Sequence, residues 1–390
     1  MRLFFNYLLI ILFSVITLSK SSAAIIGSTG FETYHYFQDP LLESQDSGGQ
    51  TFFVINYKAR IKNVMSGALK AELNIYETID GSPNNSLKFN QLSWNYYGGS
   101  YSILAGVDTV FWGVSESYNA VDIINQTDQS RSLVNDDKLG QPMILFKYNF
   151  ANFDLGFYYL PFFETRPYAG IRNRFRFTDS TSKPESIFDN GTHNRHLDHA
   201  IRATSTVGDT DFSLSYFNGY SRIPWILSST EGIIEFYQNI VQLGVELQYT
   251  GDDQLLKFES AYKSSKLESY YEGVIGAEFN ITNIQSSGYD INLFSEYIWN
   301  TRKLQPIDIF DNDLFLGLHL LSNNVSSSRI KFGFYVDIES QEKLPTISLE
   351  SRVFSDFSIA FDAVGYADLD NSAKSITRDS YVFFKGSYNF

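Results

Sequence analysis

The alternation that decides the fold is clearest in residues 53–62, which read FVINYKARIK. In an extended chain successive side chains point to opposite sides, so every second residue shares a face. One face is apolar: Phe53, Ile55, Tyr57, Ala59 and Ile61. The other face is mostly polar or cationic: Val54, Asn56, Lys58, Arg60 and Lys62. The same pattern returns in residues 69–76 and 330–339 and predicts amphipathic β-strands.

The predicted strands are too long for a typical soluble β-sandwich. They run about 9 to 13 residues, the length that a tilted strand needs to cross a bilayer, whereas strands of soluble proteins run about 5 to 6. Eighteen such segments begin near residues 30, 52, 67, 86, 100, 142, 153, 196, 210, 235, 254, 270, 288, 313, 328, 345, 356 and 378. All nine prolines fall between these segments or at their ends, where a missing N–H does not interrupt a ladder.

The links between the segments alternate between short and long. Tight turns such as 98–99, 151–152 and 208–209 alternate with long links at about 39–51, 111–141, 163–195, 220–234, 301–312 and 367–377. Short periplasmic turns and long extracellular loops are typical of outer-membrane barrels, and an even strand number returns both termini to the periplasm. We therefore predict an all-β fold, a transmembrane antiparallel up-and-down β-barrel of about 18 strands, with 16 as the alternative count. A secreted β-sandwich is the alternative fold.

The composition narrows the class of protein further. The chain has 390 residues, a net charge of −14, no cysteine and an aromatic share of 16%. The acidic balance argues against nucleic acid as a partner, and the lack of cysteine excludes disulfide frameworks and thiolate metal sites. Outside residues 1–20 no apolar run reaches the ~20 residues that a transmembrane helix needs. Aromatic girdles at the two membrane interfaces would account for the aromatic share.

The two termini carry export and assembly signals. Residues 1–23 read as a signal peptide, with Arg2 before an apolar segment from Leu3 to Leu18 and small residues around Ala23. An uncleaved anchor is the alternative. Residues 24–390 are then one barrel domain, expected in the bacterial outer membrane with its lipid and lipopolysaccharide as partners. The last strand ends at Phe390, and this C-terminal aromatic resembles the signal that the barrel-assembly machinery of Gram-negative bacteria reads.

Two long links carry opposite charge. The acidic loop, residues 111–141, contains five acidic and two basic residues, among them Glu116, Asp122 and Asp128. The arginine-rich loop, residues 163–195, contains six basic and four acidic residues and places Arg172, Arg174 and Arg176 two apart. In an extended segment these three arginines would point the same way as a cationic ladder. We interpret the acidic loop as folding into the lumen and facing this ladder across a pore constriction, which would orient dipolar or anionic solutes. The alternative is that both loops are solvated, with the arginines bound to the acidic surface of the protein or to lipopolysaccharide phosphates.

Part of the acidic loop also carries a family resemblance. Residues 111–150 read FWGVSESYNAVDIINQTDQSRSLVNDDKLGQPMILFKYNF. This stretch resembles a segment of proteobacterial porin-like barrels, including alginate-export-like relatives, which carry Trp-Gly, then Ile-Asn-Pro-X-Asp, then Pro-Met or Pro-Val. The matching positions are Trp112, Gly113, Ile124, Asn125, Asp128, Pro142 and Met143, and Gln126 stands where the family has Pro. The resemblance implies a structured loop in or near the pore, where Asp128 would cap a local turn or helix rather than face solute.

Signals of enzymatic chemistry are weak. His193, His196 and His199 are the only clustered histidines, and neutral imidazoles beside carboxylates would suit zinc or copper. Spacing of three on a strand sends successive members to opposite faces, so we expect no metal site and treat the segment as part of a rim loop. Phosphate-binding loops, dinucleotide fingerprints and nucleophile elbows are absent from the sequence, and no cofactor is expected.

The sequence favours a non-enzymatic channel. We predict a porin-like outer-membrane barrel for passive diffusion of small hydrophilic solutes, with a preference for anions or dipolar solutes. A more closed barrel that transports an apolar or polymeric substrate is the first alternative, because aromatics such as Tyr335 and Tyr366 also occur on the inward face. A rim enzyme or surface-binding barrel is the second.

Overall fold

Eighteen antiparallel strands form one closed sheet in the computed structural model of the chain. The structure describes residues 23–390 except 41, 46–48, 79–85, 129, 131–136, 168, 171, 177–183, 190, 192–194, 230–231, 304–309 and 368–378. The barrel strands are β1 (Ala23–Tyr36), β2 (Gln50–Val64), β3 (Gly67–Thr78), β4 (Ser86–Tyr97), β5 (Tyr101–Asp108), β6 (Gln141–Asn149), β7 (Asp154–Leu160), β9 (Asp198–Val207), β10 (Thr210–Tyr220), β13 (Asn239–Thr250), β14 (Gln254–Ser264), β15 (Ser269–Ile281), β16 (Tyr289–Asn300), β17 (Asn312–Ser322), β18 (Arg329–Asp337), β19 (Lys343–Arg352), β20 (Phe357–Val364) and β21 (Tyr381–Asn389). A second, three-stranded sheet contains β8 (Glu185–Phe188), β11 (Trp225–Ser229) and β12 (Gly232–Tyr237).

The first and last strands close the barrel. β1 pairs with β2 along one side and with β21 along the other, so that Phe31 lies opposite Phe53 on β2 and opposite Gly386 on β21. At this seam a Cβ on Gly30 would lie 2.0 Å from the carbonyl oxygen of Gly386, so the close approach of the two backbones needs glycine there. Closure pairs the N–H and C=O groups that an open sheet would leave at its edges.

The predicted strand count of eighteen is confirmed, and the alternative of sixteen is wrong. The largest error lies at the first strand, which was expected near residue 30 and begins at Ala23. Residues 23–29 alternate weakly by themselves, but they pair in register with residues 61–55 of β2, and this pairing extends the strand. Pro142 and Pro345 lie within the first three residues of β6 and β19. The predicted signal peptide lies outside the described residues except for Ala23.

The two faces of the barrel differ as the alternation predicts. Outward side chains are apolar and exposed, including Phe31, Phe53, Ile144, Leu214, Leu243, Ile275, Leu316 and Phe332. Inward side chains are often polar or charged and partly or fully buried, including Asn74, Ser93, Gln242, Lys257, Glu259 and Glu296. An exposed apolar surface of this extent is typical of a face that contacts lipid.

Within the described residues no helix has the length and apolar character that a membrane span requires.

The two ends of the barrel are distinct. At the turn end the strands are joined by short connections such as 65–66, 98–100 and 208–209. Both ends of the described chain also meet there, since Gly27 and Phe390 exchange backbone hydrogen bonds of 2.8 and 2.9 Å. Aromatic rings cluster at this end, with Phe150 stacked on Phe153 at 4.4 Å between centroids. The loop end carries the long connections, including 109–140 and 161–197.

Candidate functional site

The acidic loop folds into the interior of the barrel. It leaves β5 after Asp108 and reaches the wall eight strands away in the sheet order, on β16, which is almost the opposite side of an eighteen-stranded barrel. The backbone N–H of Gly113 donates to Glu246 on β13 at 2.8 Å. The N–H groups of Glu116 and Ser117 donate to Glu296 on β16 at 2.9 and 2.8 Å. The loop therefore runs inside the lumen from β5 to β16, and its contacts follow the order of the strands along the inner wall.

Three inward carboxylates hold residues 113–117, which we call the crossing segment because they pass from β13 to β16. We call Glu246, Glu259 and Glu296 the carboxylate rail. Glu259 on β14 accepts hydrogen bonds from the N–H groups of Val114 and Ser115 at 2.6 and 2.7 Å. Glu246 lies directly opposite Glu259 in the β13–β14 register. The rail thus offers consecutive acceptors to consecutive N–H groups of residues 113–117. Because these N–H groups belong to an irregular segment, they would otherwise lack partners.

The members of the rail differ in how their charge is balanced. Glu246 forms an ion pair with Arg202, with 2.7 Å between Oε1 and the guanidinium nitrogen. Glu259 is 0% exposed, and its second carboxylate oxygen has no hydrogen-bond partner in the described part of the chain. A buried carboxylate is costly unless it is hydrogen-bonded, so the two N–H donors of the loop stabilise its charged form.

The base of the loop is closed by Asn125. Its side-chain oxygen accepts the N–H of Val110 at 2.8 Å, and its nitrogen donates to the carbonyls of Asp108 and Leu139 at 3.0 and 2.7 Å. These bonds join the two stems of the loop. The carbonyl of Ile124 accepts two bonds from Arg222, which also pairs with the buried Asp198 at 2.8 Å.

The Trp-Gly pair starts the crossing segment. Trp112 is 0% exposed and packs edge-on against Tyr158, with Arg202 over its ring at 5.4 Å. Gly113 has φ +132°, and a Cβ there would meet the side chain of Asn119 at 2.1 Å. Both the backbone conformation and the contact therefore require glycine. Pro142 follows the loop as the second residue of β6.

The three acidic residues predicted for a constriction each contact a lysine. Glu116 lies 3.4 Å from Lys331 Nζ and 3.4 Å from His319 Nε2. Asp122 pairs with Lys138 of the same loop. Asp128 is almost fully buried and pairs with Lys88 on β4, while its Oδ1 accepts the N–H of Ser130 at 3.0 Å. Asp128 thus both caps a local turn and forms a wall contact.

The arginine ladder does not have the predicted geometry. Residues 172–176 are turned rather than extended, with hydrogen bonds from Asn173 N to Gly170 O and from Arg176 N to Asn173 O. Arg172 is exposed, whereas Arg174 and Arg176 are buried. Spacing of two aligns side chains only on a strand, so the turns send the three arginines to different surroundings.

The buried arginines fasten the arginine-rich loop to the inner wall. Arg174 forms two hydrogen bonds to Asp379 at 2.8 and 2.5 Å, donates to Gln38 O at 2.9 Å, and lies over the ring of Tyr36. Arg176 donates to Ala169 O at 2.8 Å. Phe175 packs between them in a cluster of inward rings: Tyr34, Tyr36, Phe52 and Tyr381. This loop touches the acidic loop where Asn173 donates to Ser130 O at 3.2 Å.

A cavity of about 270 Å³ remains between the acidic loop and β1 to β4. At ~30 Å³ for each water, it has room for roughly nine waters. Its lining is almost entirely polar: Ser28, Asn56, Lys58, Glu72, Asn74, Tyr76, Lys88, Asn90, Asp128, Asp137, Lys138 and Leu139. Three lysines face three carboxylates, so the lining has no net formal charge. The side-chain oxygen of Asn90, the extra residue of a bulge in β4, is buried without a hydrogen-bond partner among the described residues.

The histidine segment does not assemble a metal site in the part of it that the structure describes. His196 Nδ1 lies 2.6 Å from Asp198, whereas His199 is exposed on β9, and His193 lies outside the described residues. One other group of three carboxylates, Asp311, Asp313 and Asp337, has oxygens within 4.8 Å of one another at the loop end. Burial, followed by hydrogen bonding to Asp337 and nearby negative charges, raises the pKa of Asp311 to about 6.

Two solved structures share this architecture. No family model and no curated protein matches the chain. The chain is similar to OccK2 (OpdF) of Pseudomonas aeruginosa, solved in complex with glucuronate, with a TM-score of 0.57 and 11% identity over 94% of this chain and 98% of that chain. It is also similar to a BenF-like porin of Pseudomonas fluorescens Pf-5, with a TM-score of 0.55 and 9% identity over the same shares. The likeness shows a shared fold. At these identities it carries no residue roles, so the alginate-export-like resemblance remains a prediction.

Several of these groups were not predicted from the sequence. The rail glutamates, Arg202 and Arg222 sit at inward positions that look like any other polar position of an alternating strand. The alternation places Glu246, Glu259 and Glu296 on the inward face of their strands. An inward position does not by itself show which group the side chain binds. Lys58 and Arg60 were placed correctly on the polar face.

Proposed function

We propose that the chain is an outer-membrane channel that lets small hydrophilic solutes diffuse passively, with the acidic loop as its constriction. The observation that carries this proposal is the course of residues 113–117, which lie inside the barrel and hydrogen-bond to the carboxylate rail. Eighteen strands enclose a lumen wide enough for water unless something fills it. A loop anchored inside the barrel narrows that lumen and leaves a polar cavity beside it.

The polarity of the two faces supports a membrane location. The outer surface is apolar along the strands and the interior is polar, which is the arrangement that lipid outside and water inside would stabilise. By the usual orientation of such barrels, the turn end would face the periplasm and the loop end the outside. The same proposal includes export by a signal peptide at residues 1–23 and lipopolysaccharide around the loops. It also includes recognition of the last strand, which ends at Phe390, by the assembly machinery.

Size should limit which solutes pass. The cavity beside the loop has the volume of a single sugar ring or amino acid, and its lining offers amide, carboxylate and ammonium groups in close alternation. The polar groups of this lining can replace the water molecules that a polar solute loses on entry, whereas they offer an apolar solute no comparable interaction. Tyr335 and Tyr366 favoured an apolar substrate in the sequence. Tyr335 packs against Phe310 and Phe315, and Tyr366 packs against the same buried cluster, so both rings are in contact with the chain itself.

Liposome swelling tests this function. Purified protein in liposomes should admit monosaccharides and amino acids quickly and exclude oligosaccharides, so the swelling rate should fall steeply with solute mass. Liposomes that swell in none of these solutes, although the barrel is folded in them, would contradict the proposal. Swelling that is equally fast for large oligosaccharides would contradict the role of the acidic loop as a constriction.

A further inference from the structure

A strip of cations runs along the inner wall from the cavity toward the turn end. Lys58, Arg60 and Lys62 lie two apart on β2, and Lys70 lies directly opposite Arg60 on β3. Because β2 is extended, the three β2 side chains share one face, and Lys58 shows by lining the cavity that this face is the inner one. We call Lys58, Arg60, Lys62 and Lys70 the basic strip.

Only the first member of the basic strip has an acidic partner in the described part of the chain. Lys58 pairs with Glu72 at 3.0 Å and remains 56% exposed at its side chain. Arg60 and Lys62 are exposed, Lys70 is partly exposed, and these three have no ion pair with any described residue. The positions opposite them are neutral: Ala24 on β1 faces Arg60, Ala68 on β3 faces Lys62, and Ser93 on β4 faces Lys70.

The pairing of Arg60 with Lys70 is unfavourable for folding alone. Side chains directly opposite in an antiparallel pair have Cβ atoms about 4.5–5.5 Å apart, and like charges at that distance destabilise the pair. The chain is strongly acidic, with 44 acidic residues against 30 basic ones, so a concentration of unpaired cations in its interior departs from the overall balance. A mobile anion between the two side chains would remove the repulsion.

We propose that Arg60, Lys62 and Lys70 bind small oxyanions, carboxylate- or phosphate-bearing, and make the channel anion-selective at its turn end. This inference rests on the proposed channel function and names its solute class. Solutes that leave the cavity past Lys58 next meet Arg60 and Lys70, and then Lys62, so the strip continues the path rather than forming a separate pocket. Attraction that is shared among several exposed cations binds an anion weakly enough for release. The sequence predicted a cationic ladder for anionic solutes at Arg172, Arg174 and Arg176. We propose that residues of β2 and β3 have this role instead.

Planar-bilayer recordings of the full chain test the strip. In a KCl gradient the wild type should show a reversal potential of anion-selective sign, and inorganic phosphate or succinate added on the turn side should reduce the chloride current. The variant Arg60→Gln/Lys62→Gln/Lys70→Gln should lose most of the reversal potential. It should also need about ten-fold more of either anion for the same block, because each removed unit charge acts at short range.

A matched variant distinguishes the effect of the basic strip from the general effect of removing three positive charges from the lumen. Lys147→Gln/Arg329→Gln/Arg352→Gln removes three other cations from inward positions near the turn end, and it should leave the anion block nearly unchanged. Equal effects of the two triple variants, or no effect of the first, would overturn the basic strip. A wild type that carries no current at all would instead contradict the proposed channel function.

The shift of the unfolding temperature on addition of phosphate is a readout that a merely structural role of these residues would not change. Lys70→Gln removes the like-charge pair, so it should raise the unfolding temperature in phosphate-free buffer while weakening the phosphate block. Phosphate should raise the unfolding temperature of the wild type and not that of the triple variant at Arg60, Lys62 and Lys70, because binding to the folded state stabilises it. A triple variant that unfolds at a lower temperature and still responds to phosphate would overturn the proposal.

Discussion

The carboxylate of Glu296 accepts two hydrogen bonds from Ser117, one from its backbone N–H at 2.8 Å and one from its hydroxyl at 2.5 Å. Ser117 belongs to a loop that starts at β5, and Glu296 lies eight strands away on β16. Tyr335 on β18 donates to the carbonyl of the same serine at 3.3 Å. The far end of the acidic loop is therefore tied to the opposite wall through both side-chain and backbone groups.

Glu296→Ala should loosen this end of the loop. It removes the acceptor of three donors, and a hydrogen bond to a charged group contributes about 1.5–3 kcal/mol, so the anchored state should lose several kcal/mol. In single-channel recordings the open current should become noisy, with brief steps to higher conductance. Glu350→Ala is the control, because it removes a carboxylate from β19 that has no described bond to the loop. Equal noise in wild type and Glu296→Ala would contradict the anchoring role.

Trp112→Ala should destabilise the start of the crossing segment. Trp112 is fully buried against Tyr158 and Arg202, and truncation of such a side chain costs about 3–5 kcal/mol. The neighbouring Phe111 is 57% exposed, so Phe111→Ala should change stability by no more than about 0.5 kcal/mol. Thermal unfolding in detergent compares the two. Similar unfolding temperatures for both variants would show that Trp112 does not anchor the loop.

Arg174→Ala should lower barrel stability more than Arg172→Ala. Arg174 is buried and paired with Asp379, and removal of one partner of a buried ion pair costs about 3–5 kcal/mol because the other charge is left uncompensated. Arg172 is exposed, so its removal should have a small effect. The measurement is the temperature at which the folded band disappears on a semi-native gel. Neither variant should abolish ion selectivity, and loss of selectivity in both would restore the arginine-ladder interpretation.

The loop end should become less stable as pH rises from about 4 to about 6. The pKa of Asp311 is about 6 in the folded chain, against an ordinary value of 3.8, so between these values the folded state holds a proton that the unfolded state has released. The contribution of Asp311 to stability falls across this window and does not change further above it. Asp311→Asn removes the titration, and its unfolding temperature should exceed that of the wild type near pH 7 but not near pH 4. A constant difference between the two proteins across this range would contradict the assignment.

Strand number and the polarity of the faces could be predicted from the sequence because both are local properties. Lys58 and Ile61 alternate within one strand, and no distant contact is needed to assign them to faces. The start of β1 at Ala23 could not be predicted in this way, since its pairing with residues of β2 extends a segment whose own pattern is weak.

The candidate site was predictable only where charge is concentrated in one stretch. The acidic loop stands out as residues 111–141, but its partners Glu246, Glu259 and Glu296 come from three different strands and meet the loop only when it folds into the barrel. The arginines at 172, 174 and 176 were misplaced because their spacing implies a strand, whereas hydrogen bonds to Gly170 and Asn173 turn the segment. Residue spacing describes side-chain direction only after the backbone conformation is known.

A cysteine placed in the loop tests most directly whether the acidic loop lies in the conducting path. The chain has no cysteine, so Glu116→Cys provides a single thiol on the crossing segment and Leu316→Cys provides one on the outer face of β17. A bulky cationic methanethiosulfonate reagent, applied during planar-bilayer recording, should lower the conductance of Glu116→Cys in discrete steps and leave that of Leu316→Cys unchanged. A folded Glu116→Cys barrel that reacts with the reagent without any change in current would contradict a constriction formed by this loop.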